Sequence, residues 1–265
     1  MNPARRAVLL AALAGAASAA LRPPGARAGE AAPAIAAASD LKFALEEIAA
    51  AFTAETGQRV RLSFGSTGTF ATQIRQGAPF EMFMAADQSF VEGLHAAGLT
   101  RDEGTLYAEG RIVLIAPHGS PLRPDPALDG LADLLGAGRI TRFALANPEH
   151  APYGLRGQEA LQHRGLWEAI RPFLVLGENV SQAAQFALSG NAEGGIVALS
   201  LASAPDVAAR GTFALIPRDW HEPLLQRMVL LRGAGPVAEA FYAHVQGPGA
   251  RAILARYGFT LPGAA

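Results

Sequence analysis

The chain has 265 residues, half of them hydrophobic, with a formal net charge of −1 and no cysteine. That length and apolar share suffice for a buried core in one large or two modest domains, and the balanced charge excludes the broad basic field that nucleic acid requires. The absence of cysteine excludes a disulfide framework and a lipidated N-terminal cysteine.

At the N-terminus, Arg5-Arg6 precede an uncharged, Ala/Leu-rich run over 7–21 and the small-x-small pattern Ala26-Arg27-Ala28. Residues 1–28 therefore read as an export signal, by the general or the twin-arginine route, and the mature chain as a free periplasmic protein. The apolar run is shorter than the roughly 20 residues that a membrane-spanning helix needs. Beyond it, strand-like and helix-like segments alternate. Ala34–Ala38 reads as a strand. Leu41, Leu45, Ile48 and Phe52 then share one face of a helix that Ser39 can cap and that ends near Gly57. Residues 59–64 alternate with period two, and 112–116 form a continuous apolar strand stopped by Pro117. Further strands are expected at Met82–Ala85, Phe143–Ala146, 173–176, 195–198 and 227–231. This order predicts an α/β fold with largely parallel sheets. Breaks in the pattern near Glu109-Gly110 and over 217–223 suggest a chain that visits a second lobe and returns. Residues 29–110 plus 222–265 would form one lobe and 111–221 the other, with ligand at the strand ends between them.

Four strand-to-helix junctions carry small or hydroxyl residues: Ala38-Ser39-Asp40, Ser66-Thr67-Gly68-Thr69, Pro152-Tyr153-Gly154 and Asn179-Val180-Ser181. A helix N-terminus leaves backbone N–H groups without partners and carries the positive end of the macrodipole, so it favours an anion. Converging ends would make a ring of neutral donors. Each junction also has a plainer reading. Ser39 is an ordinary N-cap residue, and Gly65 and Gly68 make the second junction a glycine-rich turn as readily as a close approach to a guest. Pro152 fixes a helix entry and leaves the amides of Tyr153 and Gly154 free, while the fourth junction would contribute backbone alone. Recurrence of the pattern points to binding rather than catalysis.

Other chemistries fit less well. Ser39-Asp40-Leu41-Lys42 matches the S-x-x-K pattern of a serine hydrolase, but Lys42 is the sole lysine and the required Lys-Thr-Gly element is absent. No nucleophile elbow, zincin helix, P-loop or dinucleotide fingerprint occurs. Arg75, Arg111 and Arg156 remain available to clamp an organic carboxylate.

The sequence resembles the periplasmic molybdate-binding proteins of ABC transporters over essentially the whole mature chain. The resemblance is carried by Ala36-Ala37-Ala38-Ser39, Phe64-Gly65-Ser66-Thr67-Gly68-Thr69, Gln73-Ile74-Arg75-Gln76-Gly77-Ala78-Pro79, Ala85-Ala86-Asp87-Gln88, Asn147-Pro148-Glu149-His150-Ala151-Pro152, Gly195-Ile196-Val197 and Arg256-Tyr257-Gly258-Phe259-Thr260. It implies a type II periplasmic-binding-protein fold, two α/β lobes joined by a two-crossing hinge. It further implies a monomer that closes on tetrahedral molybdate or tungstate, uses no cofactor or metal cation, and docks on a membrane permease. Molybdenum would enter only as bound molybdate. Carried over by position, Ser39 and Thr67 supply hydroxyl and amide donors, and Tyr153 and Val180 supply amides, with Ser66 and Ala198 as additional positions. Some members place a tyrosine hydroxyl on the oxyanion where this chain has Ala198; Tyr153, Ser200 or a water would have to replace it. Molybdate, tungstate and sulfate are unprotonated at neutral pH, whereas phosphate retains a proton that needs an acceptor. Asp40 is the candidate acceptor, or else an acidic residue favoured at a first helical turn by the dipole.

Overall fold

A computed structural model describes residues 32–263; the expected export signal lies outside the described residues. Among the described residues there are ten strands: β1 (Ala34–Ala38), β2 (Arg61–Gly65), β3 (Met82–Ala85), β4 (Thr105–Gly110), β5 (Ile112–Pro117), β6 (Phe143–Ala146), β7 (Leu174–Gly177), β8 (Gly194–Ala198), β9 (Gly211–Leu215) and β10 (Leu224–Leu230). The helices are α1 (Lys42–Thr56), α2 (Thr67–Arg75), α3 (Gln88–Ala96), α4 (Asp129–Gly136), α5 (Pro152–His163), α6 (Trp167–Ile170), α7 (Val180–Ala187), α8 (Leu199–Ala202), α9 (Pro205–Ala208), α10 (Pro236–Gln246) and α11 (Pro248–Arg256).

The strands form two five-stranded sheets, ordered β2-β1-β3-β10-β4 and β7-β6-β8-β5-β9, one at the centre of each lobe. Successive side chains of a strand point to opposite faces, and the first sheet is apolar on both. Ile35, Ala37, Met82, Met84 and Met228 pack on one side with Leu45, Ile48 and Phe52 of α1. Ala36, Phe83, Ala85 and Val229 pack on the other with Phe70 and Ile74 of α2 and Leu94 of α3. Helices on both faces explain why these strands read as continuous apolar runs.

The sheets are mixed rather than largely parallel. β1, β2 and β3 are parallel, as are β6, β7 and β8, but β10 runs antiparallel to β3 and β4, and β5 antiparallel to β8 and β9. A parallel neighbour needs a crossover helix. β5 and β10 instead enter from the other sheet, β5 after Arg111 alone, so nothing obliges them to follow the βα direction. The two strands without a clear sequence signal, β4 and β9, lie at sheet edges: exposed residues interrupt β9, and Glu109 and Gly110, though buried, interrupt the apolar run of β4.

The first junction also differs from its expected form. Ser39–Leu41 make a single 3₁₀ turn before α1, whose N-terminus has no side-chain cap, so Ser39 is not capping the helix. The other end is as read: Gly57 closes α1 in the left-handed conformation at φ +71°.

Candidate functional site

The 3₁₀ turn after β1, the N-terminus of α2 after β2, that of α5 after β6 and that of α7 after β7 meet around one cavity between the sheets. Its wall contains Ser39, Asp40, Ser66, Thr67, Tyr153 and Val180, with Ala38, Gly65, Ala86, Ala151 and Pro152 filling between them. All four residues expected to bind the oxyanion, and Ser66, are therefore brought together. Ala198 is not in the wall; it ends β8 and precedes α8. The space open to the centre of a water-sized sphere is only about 10 Å³, far below the roughly 300–1,000 Å³ of clefts that take drug-sized organic ligands. Its wall contains no lysine, arginine or histidine.

The hydroxyls differ in what they have left to give. The Thr67 Oγ1 accepts the Ala86 amide at 3.0 Å, which fills a lone pair and leaves its proton to donate. The Ser39 Oγ accepts the Ser181 amide at 3.2 Å and likewise retains its proton. Ser66 is otherwise engaged: its Oγ donates to the His150 carbonyl at 2.5 Å and lies 2.9 Å from His150 Nδ1. Thr67, Tyr153 and Val180 occupy the first turns of α2, α5 and α7, where a backbone N–H has no carbonyl four residues earlier to bond.

The wall departs from expectation at Asp40. This residue is only 1% exposed, far from the solvated first-turn carboxylate that a dipole argument describes. Its Oδ2 accepts Gln226 Nε2 at 2.7 Å and the Tyr153 hydroxyl at 3.0 Å, while Gln226 Oε1 accepts the Tyr107 hydroxyl at 2.7 Å. Burial pushes the Asp40 carboxyl up to about 6, and the bonds from Gln226 and Tyr153, with the nearby amides of Asp40 and Leu41, offset only part of that rise. Burial, with Asp40 nearby, raises the Tyr107 and Tyr153 hydroxyls well above their ordinary value, so both stay protonated donors. The Tyr153 hydroxyl is thus committed to Asp40, and Ser200 Oγ donates to the Asp40 carbonyl at 2.8 Å. Neither hydroxyl stands in for the missing tyrosine. The sequence signal for this network was Gln226, a polar residue within the apolar β10 that proves wholly buried.

Further bonds join the lobes around the cavity. The Gly68 amide donates to the His150 carbonyl at 2.9 Å, and a Cβ at Gly68 would lie 2.7 Å from that oxygen, so no larger residue fits this approach. Arg156 pairs with Asp87 at 2.7 Å and with Glu159 at 2.5 Å. Two carboxylates neutralise it, and neither it nor Arg75 nor Arg111 is in the cavity wall, so the arginine clamp does not form there. Lys42 is also outside the wall, its Nζ 5.8 Å from the Phe43 ring centroid, which leaves the S-x-x-K reading without its lysine at the cavity.

Residues 34–260 match the family model described as bacterial extracellular solute-binding protein. The molybdate-binding protein ModA of Azotobacter vinelandii is 36% identical over 230 residues, covering 86% of this chain and 89% of its own. ModA of Escherichia coli strain K12 is 35% identical over 233 residues, covering 85% and 87%. The solved Azotobacter vinelandii periplasmic molybdate-binding protein superposes with a TM-score of 0.77 at 31% identity, over 87% of this chain and 99% of that one. The chain belongs to the bacterial extracellular solute-binding proteins, in the branch whose relatives are the ModA proteins. The sulfate-binding protein SubI of Mycobacterium tuberculosis, at 14% identity and a TM-score of 0.73, shares the fold alone.

Proposed function

We propose that this chain is a periplasmic binding protein that captures molybdate, and the nearly isosteric tungstate, between its lobes and delivers it to the membrane permease of an ABC transporter. One observation carries the reading: a small buried cavity whose wall offers hydroxyl and first-turn amide donors and no cation. A tetrahedral dianion that accepts hydrogen bonds on every oxygen matches such a wall. Each charge-assisted bond contributes about 1.5–3 kcal/mol, so four or five suffice for tight capture. Ser39 and Thr67 would give their hydroxyl protons, and Tyr153 and Val180 their amides.

The lobes, residues 29–110 with 222–265 and residues 111–221, would part at the two crossings to admit the anion. Closure adds the bonds between Ser39 and Ser181, Gly68 and His150, and Arg156 and Asp87. The anion favours the closed form because only there do donors from both lobes reach it. No bond of the guest is made or broken, so the protein binds and does not catalyse. Residues 1–28 would direct export, and the mature chain would act as a monomer.

Hydrogen phosphate is the second reading, favoured by the buried Asp40 Oδ1, which has no hydrogen-bond partner and could accept a phosphate proton. Melting curves of the purified protein with molybdate, tungstate, sulfate and phosphate separate the two. Stabilisation by molybdate and tungstate alone supports the proposal; stabilisation by phosphate alone replaces it with the second reading.

A further inference from the structure

Asp40 poses an electrostatic problem that the neutral donors do not. It lines the cavity, is 1% exposed, and has no lysine, arginine or histidine beside it in the wall. The groups that face it are the Tyr153 hydroxyl from α5, the Gln226 amide from β10 with Tyr107 of β4 behind it, and the amides of Asp40 and Leu41. Both side chains bonded to Oδ2 are donors, and Oδ1 is buried without a partner. A dianion placed in this cavity sits beside a carboxyl group with no counter-charge and little water. Two like charges so placed cannot both stay fully ionised, and the group that can change state is the carboxyl.

Resting on the molybdate reading, we infer that Asp40 is a further ligand-facing residue that binds the oxyanion as a carboxylic acid, so that each captured dianion brings about one proton onto Asp40. The proton moves from solvent to the Asp40 carboxyl group, and the resulting O–H donates to an anion oxygen; no other bond changes. Neighbours that only donate to Oδ2 make the anion the acceptor available to this proton. In the empty site the carboxyl titrates near 6, close enough to neutrality for a neighbouring dianion to carry it into the protonated form. Affinity for molybdate should then fall as pH rises above that value, toward tenfold per pH unit while uptake is complete. The site would reject a dianion in alkaline conditions by repulsion rather than by shape.

The test is isothermal titration of the purified protein with sodium molybdate across about pH 6.5 to 8, in paired buffers of different ionisation enthalpy. Buffer-dependent heat equivalent to uptake approaching one proton, with affinity weakening over that range, is the expected result. Asp40→Asn, which keeps an oxygen for Tyr153 and Gln226 and puts a neutral N–H donor in place of Oδ1, should bind with no uptake and a flat pH profile. Molybdate binding without proton uptake in the wild-type protein, or uptake that persists in Asp40→Asn, overturns this inference and leaves the ligand assignment standing. No molybdate heat under any condition overturns the ligand assignment and this inference with it. The wild-type buffer comparison decides the matter even if the variant does not fold.

Discussion

Ser39 and Ser181 bond reciprocally across the cleft: the Ser181 amide donates to Ser39 Oγ at 3.2 Å, and Ser181 Oγ donates to the Ser39 carbonyl at 3.0 Å. The exchange joins the lobes and fixes the Ser39 hydroxyl with its proton unspent. Ser39→Ala should remove both a lobe contact and an oxyanion donor. The expected loss is about 1.5–3 kcal/mol of binding energy, roughly ten- to hundredfold in molybdate affinity. Equilibrium titration measures it, and unchanged affinity would remove Ser39 from the ring.

Thr67 is aimed by the Ala86 amide. Thr67→Val preserves side-chain shape, loses the hydroxyl and strands that amide, so molybdate affinity should drop by at least tenfold. Thr67→Ser, which keeps the hydroxyl, should recover most of it. An arginine-held organic anion would be indifferent to both changes, so the pair tests ligand class as well as residue.

Val180 is expected to act through its backbone, so its side chain should matter little and its N–H a great deal. Val180→Ala is predicted to bind almost normally. Val180→Pro suits the first position of α7, which follows an extended Asn179, and there proline removes only the N–H. That variant should keep its helix and melting temperature and lose ten- to hundredfold in affinity, about 1.5–3 kcal/mol.

The ion pair between the buried Arg156 and the half-buried Asp87 ties α5 to the N-terminus of α3. Asp87→Ala leaves Arg156 with Glu159 alone. Closure should weaken by about 1–2 kcal/mol, so molybdate should bind five- to thirtyfold less tightly, mainly through faster release. Stopped-flow displacement would show this, and an unaltered release rate would remove the pair from the closing contacts.

Asp40 also predicts a pH dependence of stability in the unliganded protein. Its carboxyl rises from 3.8 to about 6 on folding, so the folded state disfavours the ionised form. The penalty is absent below pH 3.8, grows as pH rises toward 6 and is complete above it, amounting to about 3 kcal/mol at most. Asp40→Asn should therefore melt higher than wild type at neutral pH and converge with it near pH 4. Equal melting temperatures at neutral pH would show that the carboxylate is better solvated than its burial implies.

Much of this arrangement is legible in the sequence because local chemistry dictates it. The apolar face of Leu41, Leu45, Ile48 and Phe52, the stop at Gly57 and the junctions at Thr67, Tyr153 and Val180 each follow from residues close together in the chain. What local pattern misses is set by contacts between distant segments. Ser39 reads as a helix cap until Ser181, 142 residues later, takes its oxygen. Asp40 reads as a dipole-favoured carboxylate until Tyr153 and Gln226 close over it. The antiparallel β5 and β10 escape notice because their direction depends on which sheet they come from, which no window of sequence contains.

Direct titration of the purified protein with molybdate shows whether the ring of neutral donors is a dianion site. Saturable binding at one anion per chain, matched by tungstate and abolished or severely weakened by Thr67→Val, is the expected result. Absence of binding, or binding that Thr67→Val leaves untouched, would contradict it.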